Sequence, residues 1–151
     1  MVQWIEPFRK EIPEVPWTID CSDPEDFALR REDLRLWLRL SLGPRGETFF
    51  VAINEGVSNA FRHGTLPGEP PWVALALTEE GPGVVATIQD RGPGLPPGAL
   101  QRDFPDLDSE GGRGLPLMVM LADEVSYDAA TRTLRLVARR PSLSPAGDDM
   151  S

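Results

Sequence analysis

Between Phe27 and Ser41, and again between Phe49 and Ala60, apolar residues return every three or four positions. That period marks two amphipathic helices. The first is capped by Ser22 or Asp23, carries Pro24 in its opening turn and runs to Leu42, where Gly43-Pro44 stops it. Phe27, Leu34, Trp37 and Leu38 form its inner face, with Ser41 beside them. The second helix spans Glu47 to His63 and ends at Gly64, and Phe49, Ile53, Gly56, Val57 and Ala60 make its core stripe.

Elsewhere the pattern changes to that of strands. "IPEVPWTID" is short, alternating and proline-marked, the signature of an edge strand. "PWVALALTEE" and "GVVATIQD" read as two strands joined by the turn Glu80-Gly81-Pro82-Gly83. A long Gly- and Pro-rich stretch from Arg91 to Gly114 follows, and a loop of that length in a domain is usually functional or mobile. "LPLMVMLADE" is an almost wholly apolar helix, expected to be buried, with Pro116 tolerated in its first turn. "EVSYD", "AAT" and "RTLRLVARR" close the pattern as a hairpin, and "PSLSPAGDDMS" reads as a disordered tail. The order predicts an α/β two-layer sandwich: a mixed, mostly antiparallel sheet with helices on one face.

Composition narrows the function. With 151 residues, of which 40% are hydrophobic and 26% charged, the chain suits one globular domain. Residues 1–11 are expected to be an N-terminal segment, 12–140 the domain and 141–151 a flexible tail. The net charge of −9 argues against non-specific binding to nucleic acid or to an anionic membrane. Cys21 is the single cysteine, so no internal disulfide forms, and a reducing cytoplasm is the natural compartment. The opening "MVQWIEPFRKEIPEVPW" lacks the apolar run of a signal peptide, and no stretch has the length of a membrane span.

Three polar stretches carry candidate chemistry. In "NEGVSNAFRHG", Glu55, Asn59 and His63 are spaced four apart and so share one helix face, almost opposite Val57. Alone, such a row reads most simply as a solvated stripe. In "IQDRGPG", Asp90 ends an apolar strand, and Gly92 and Gly94 would let a ligand approach the backbone. A carboxylate there can accept from an exocyclic amine, or it can merely begin an Asp-Gly turn. In "EGGRGLPLM", Gly111, Gly112 and Gly114 precede an apolar helix, where free N–H groups suit an anion.

Together, E-x-x-x-N-A-x-x-H-G, D-x-G-x-G and G-G-x-G-L resemble the Bergerat-fold (GHKL) ATP-binding superfamily shared by gyrase, sensor histidine kinases and a heat-shock chaperone. More closely, "INEGVSNAFRHG", "IQDRGPG" and "SEGGRGLPLMVMLADEVSYD" resemble the bacterial anti-sigma factor serine/threonine kinases of the RsbW type, from about Ile12 to Arg140. No length remains for the dimerisation and phosphoacceptor helices of a sensor histidine kinase.

The resemblance implies a Bergerat ATP-binding fold with ATP and Mg²⁺ as cofactors. By it, Asn59 is the metal ligand, an amide oxygen of the hard kind that Mg²⁺ prefers. Glu55 is the catalytic general base, one turn earlier on the same face. Asp90 reads adenine, and Gly92 and Gly94 flank the base. Gly112, Arg113, Gly114 and Leu115 are the phosphate-contacting end of a lid. His63 matches too, either as a nucleotide contact or as a helix cap. Arg62 lies near phosphate or in solvent. The implied partners are a sigma factor and a STAS-domain anti-anti-sigma protein, with no direct contact to nucleic acid or membrane. A homodimer is also implied, with Trp4, Ile5 and Phe8 either serving it or packing on the chain's own sheet.

Two departures stand out. Where the family commonly places Gly-Thr before the last strand, this chain has Thr131-Arg132, so Thr133 or Thr131 is expected to close the adenine pocket. The lid, Leu95 to Glu110, has Arg102 as its only basic residue against four acidic ones in "RDFPDLDSE". Three readings follow: a protein serine/threonine kinase that also sequesters a sigma factor, a nucleotide-dependent binding module without phosphoryl transfer, and a simple ATPase of the gyrase kind.

Overall fold

The computed structural model describes residues 16–81, 83–95, 100 and 114–140. The N-terminal segment, most of the Arg91–Gly114 loop and the tail lie outside the described residues. So do Trp4, Ile5 and Phe8.

Strand alternation builds the sheet. The strands are β1 (Trp17–Cys21), β2 (Val73–Glu80), β3 (Gly83–Asp90), β4 (Glu124–Asp128) and β5 (Thr133–Arg139). Their order is β1-β2-β3-β5-β4. The expected mixed sheet is antiparallel at every pairing among the described residues. Two of those joints are hairpins, which demand antiparallel neighbours. β1 is an edge strand, as expected. Register aligns the inward residues into rows across the sheet. One row is Trp17, Leu77, Ala86, Leu136 and Val125; the next is Ile19, Leu75, Ile88, Leu134 and Tyr127.

The helices cover that inner face. Asp23, not Ser22, is the cap: its Oδ1 accepts from the Glu25 and Asp26 backbone N–H groups at 2.7 and 3.2 Å, and Asp26 returns a bond to Asp23. The single helix expected from there to Leu42 is in fact two, α1 (Pro24–Ala28) and α2 (Arg31–Leu42). At Arg30 the backbone leaves helical geometry (φ −108°, ψ 4°), and its N–H turns back to the Phe27 carbonyl. Phe27 and Leu34 both stay buried while Leu29 between them is 76% exposed. Their spacing of seven fits an unbroken helix and a broken one alike, so periodicity could not see the break.

α3 (Arg45–His63) begins two residues before the expected Glu47 and ends at Gly64 as expected. Its predicted stripe, Phe49, Ile53, Gly56, Val57 and Ala60, is buried throughout. Phe49, Ile53 and Val57 join Leu34, Leu38, Leu75, Leu77 and Leu136 in the core.

α4 (Gly114–Leu121) departs from expectation twice. It stops before Glu124, because the Asp123 N–H already bonds the Val137 carbonyl and Glu124 starts β4. It is also only half buried: Pro116 and Met118 face inward, whereas Val119 and Met120 are 42% and 57% exposed. An all-apolar run has no period to mark its outer face. Among the described residues, no helix is long and apolar enough to cross a membrane.

Candidate functional site

β3 delivers Asp90 to the open end of the sheet, on the same face as Ile88. Asp90 Oδ1 accepts the Gly92 N–H at 2.9 Å, an Asx turn that fixes the carboxylate and leaves Oδ2 without a hydrogen bond among the described residues. Burial raises the Asp90 pKa above the ordinary carboxylate value, opposed by the Gly92 N–H and by the charge of Arg132.

Glycines make this corner possible. A Cβ on Gly64 would strike the Ala60 carbonyl and Asp90 Oδ2, and one on Gly92 would strike the Gly64 backbone. The end of α3 therefore packs backbone to backbone on the turn after β3. Gly94 has φ +90°, where other residues are strained, and a Cβ there would lie 2.9 Å from the Tyr127 hydroxyl.

A pocket opens where these elements meet. It is lined from α3 by Gly56, Asn59, Ala60, His63 and Gly64, from the sheet by Ile88, Asp90, Tyr127 and Leu134, and from above by Gly94 and Leu95. The pocket encloses about 390 Å³ of empty space, part of it open to solvent.

The row on α3 divides along the pocket. His63 and Asn59 line it, while Glu55, half-buried, lies one turn further from Asp90. His63 makes no hydrogen bond to a described residue, so the capping alternative gains no support. Arg62 faces a different groove, with Phe27, Arg31 and Phe61.

Two anchors orient α4. Arg45, at the start of α3, pairs with Asp123 just past the end of α4 at 3.2 Å. Further along α3, a Cβ on Gly56 would lie 3.1 Å from the Met118 sulfur. The helices therefore run antiparallel. From Met118 back to Gly114 is about 6 Å of helix, and from Gly56 forward to Asn59 about 4.5 Å. The N-terminal end of α4 thus lies toward Asn59. Gly114 and Leu115 begin that helix. Gly112 and Arg113 lie outside the described residues.

The structure does not bring Thr133 to the pocket. Thr133 pairs with Gln89, so it shares the outer face, and its hydroxyl bonds the Thr131 carbonyl and hydroxyl. Leu134 lines the pocket instead. The strand alternation of Leu134, Leu136 and Ala138 would have predicted this without the family comparison. Arg132 adopts φ +57° and donates to the Arg91 carbonyl at 3.3 Å.

Sequence reasoning missed Tyr127, Gly64 as an Asp90 neighbour, and Leu95. Nothing local marks Tyr127, since only the β3–β5–β4 register carries it beside Ile88 and Leu134. Among the described residues no cluster of three His, Cys, Asp or Glu could hold a metal. Asn59 by itself offers one oxygen, so a metal here would take its remaining ligands from phosphate and water.

Comparison with curated proteins returned no match. A family model described as a histidine kinase-like ATPase domain matches residues 22–138, which span every described helix, strands β2 to β4, and β5 up to Ala138, but not β1. That match covers most of the chain, and the chain belongs to the histidine kinase-like ATPase family.

Proposed function

We propose that the chain binds Mg-ATP with its base at Asp90 and its phosphates along α3, and that it is an anti-sigma factor with serine/threonine kinase activity on a STAS-type antagonist. The observation that carries the reading is the sequence of groups along one helix. From Asp90 outward come Gly64, His63, Asn59 and then Glu55. Base, phosphates, metal and proton acceptor would meet this row in the order that phosphoryl transfer needs.

The roles follow from chemistry. Asp90 Oδ2 accepts from the adenine amine. Gly92 and Gly94 let the base approach the backbone. Asn59 supplies an amide oxygen to Mg²⁺, which when bound would draw charge from the phosphate oxygens. The N–H groups at Gly114 and Leu115 face the same anions. His63 contacts the nucleotide from the pocket wall. Gly112 and Arg113 would complete the phosphate end.

Glu55 then takes the proton of an attacking seryl or threonyl hydroxyl. The oxygen bonds to the γ-phosphorus, the bond from that phosphorus to the β–γ bridging oxygen breaks, and ADP leaves. The proton stays on Glu55 until solvent removes it.

A second reading is a nucleotide-dependent binding module. The acidic stretch from Asp103 to Glu110 favours it, since it offers repulsion rather than grip to phosphate. Labelled ATP with a candidate STAS partner separates the two. Transfer by the parent that falls about 10²–10⁴-fold in Glu55→Gln, with ATP binding kept, supports the kinase. Binding without transfer in either protein supports the module. Equal transfer by both ends the general-base role of Glu55.

A further inference from the structure

Tyr127 has no part in that mechanism, yet its hydroxyl oxygen is buried in the pocket wall without an acceptor for its proton among the described residues. Tyr127 is the only tyrosine of the chain. Its ring stands in the inward row with Ile88 and Leu134, and its Oη lies beside Gly94. That oxygen is buried, and among the described residues its proton meets no acceptor. A buried hydroxyl left unpaired is costly, and phenylalanine would fill the same space without it.

The base end of the pocket therefore presents two polar side-chain groups of different character. Asp90 Oδ2, ionised, can only accept, whereas a tyrosyl hydroxyl can donate. Burial raises the Tyr127 pKa, offset in part by the Leu95 N–H and reinforced by the charge of Asp90, so the phenol keeps the proton it would donate. An acceptor next to a donor complements an amine next to a ring nitrogen. A 6-aminopurine shows that pair on either side of its amine, through N1 or N7.

We propose that Tyr127 is a specificity-determining residue of this site, whose hydroxyl donates to the ring nitrogen beside the amine that Asp90 accepts. The inference rests on the nucleotide-binding reading above. It adds a second reader of the base, on the opposite sheet edge from the helix row, and accounts for a tyrosine where apolar packing alone asks for none.

Deaza analogues test it. The parent and Tyr127→Phe are titrated calorimetrically with Mg-ATP, 1-deaza-ATP and 7-deaza-ATP, and the melting temperatures of the free proteins are compared. Tyr127→Phe should bind ATP about three- to tenfold more weakly, the loss of one hydrogen bond. The parent should lose as much with one of the two analogues, and Tyr127→Phe should be indifferent to that same analogue. The melting temperature should change little, because the hydroxyl proton meets no acceptor among the described residues. With [ζ-¹³C]tyrosine in the parent, the one labelled resonance should move on adding ATP and stay nearly still with the sensitive analogue. Equal ATP affinity in the two proteins overturns the proposal. So does a loss in Tyr127→Phe that leaves its analogue preference unchanged. If the parent itself binds no adenine nucleotide, the nucleotide-binding reading fails first and takes this inference with it.

Discussion

Asp90→Asn is the substitution that most directly probes the base end of the pocket. Gly92 N–H donates to Asp90 Oδ1 at 2.9 Å. An asparagine must keep its one carbonyl oxygen there, because an amide nitrogen cannot accept. The NH₂ is thereby forced into the place of Oδ2. Where the parent offers an acceptor to the adenine amine, the variant offers a donor to a donor. The lost hydrogen bond and the mispaired buried group together cost about 1–3 kcal/mol, or roughly five- to 150-fold in Kd.

Folding should respond in the opposite sense. The Asp90 pKa is raised by burial, so the folded state holds a proton more tightly than the unfolded state does. Below the ordinary value of 3.8 the carboxyl is neutral in both states and costs nothing. As pH rises through the folded pKa, ionisation of the buried group withdraws stability. Asparagine carries no such loss. The stability of Asp90→Asn relative to the parent should therefore grow with pH across that window and then level off. Calorimetric titration with Mg-ATP measures the first effect, and urea unfolding at several pH values the second. Unchanged ATP affinity in a folded Asp90→Asn protein would refute Asp90 as the base reader, whatever the stability data show.

Two further substitutions test the frame that holds the site. Gly64→Ala places a methyl group on the Ala60 carbonyl and the Asp90 carboxylate; φ is −97°, so the strain is steric rather than conformational. Unfolding should become easier by about 1–3 kcal/mol, and ATP binding should weaken with it; a variant as stable as the parent would show that the α3–β3 corner is loose. Asp123 joins the two helices to β5, accepting the Arg139 N–H at 2.6 Å and pairing with Arg45. Burial alone would raise its pKa, but the Arg139 N–H and the Arg45 charge hold it below 3.8. Asp123→Asn should cost about 1 kcal/mol near neutral pH, discounted for partial exposure. That cost should be present in full above the ordinary carboxylate value and vanish as acid protonates Asp123 in the parent. An acid-unfolding curve identical for the two proteins would contradict it.

Local sequence was enough for the stripe of α3, the strands β2 and β3 to within two residues, and the helix stop at Gly64, because each depends on a period or a terminator written in neighbouring residues. It was also enough to align Glu55, Asn59 and His63 on one face and to set Asp90 at a strand end. Tertiary structure decided what those groups face. The break at Arg30 follows from the Asp23 cap and from a core that takes Phe27 and Leu34 but leaves Leu29 outside. The outer face of α4 was invisible in a run with no polar residue to mark it. Leu134 rather than Thr133 lines the pocket because strand alternation sets which side chain reaches it. Tyr127 stands 37 positions from Asp90 in the chain and shares its pocket only through the register of β3, β5 and β4. Cross-strand register is a non-local property, fixed when whole faces are buried together, and no window of neighbouring residues contains it.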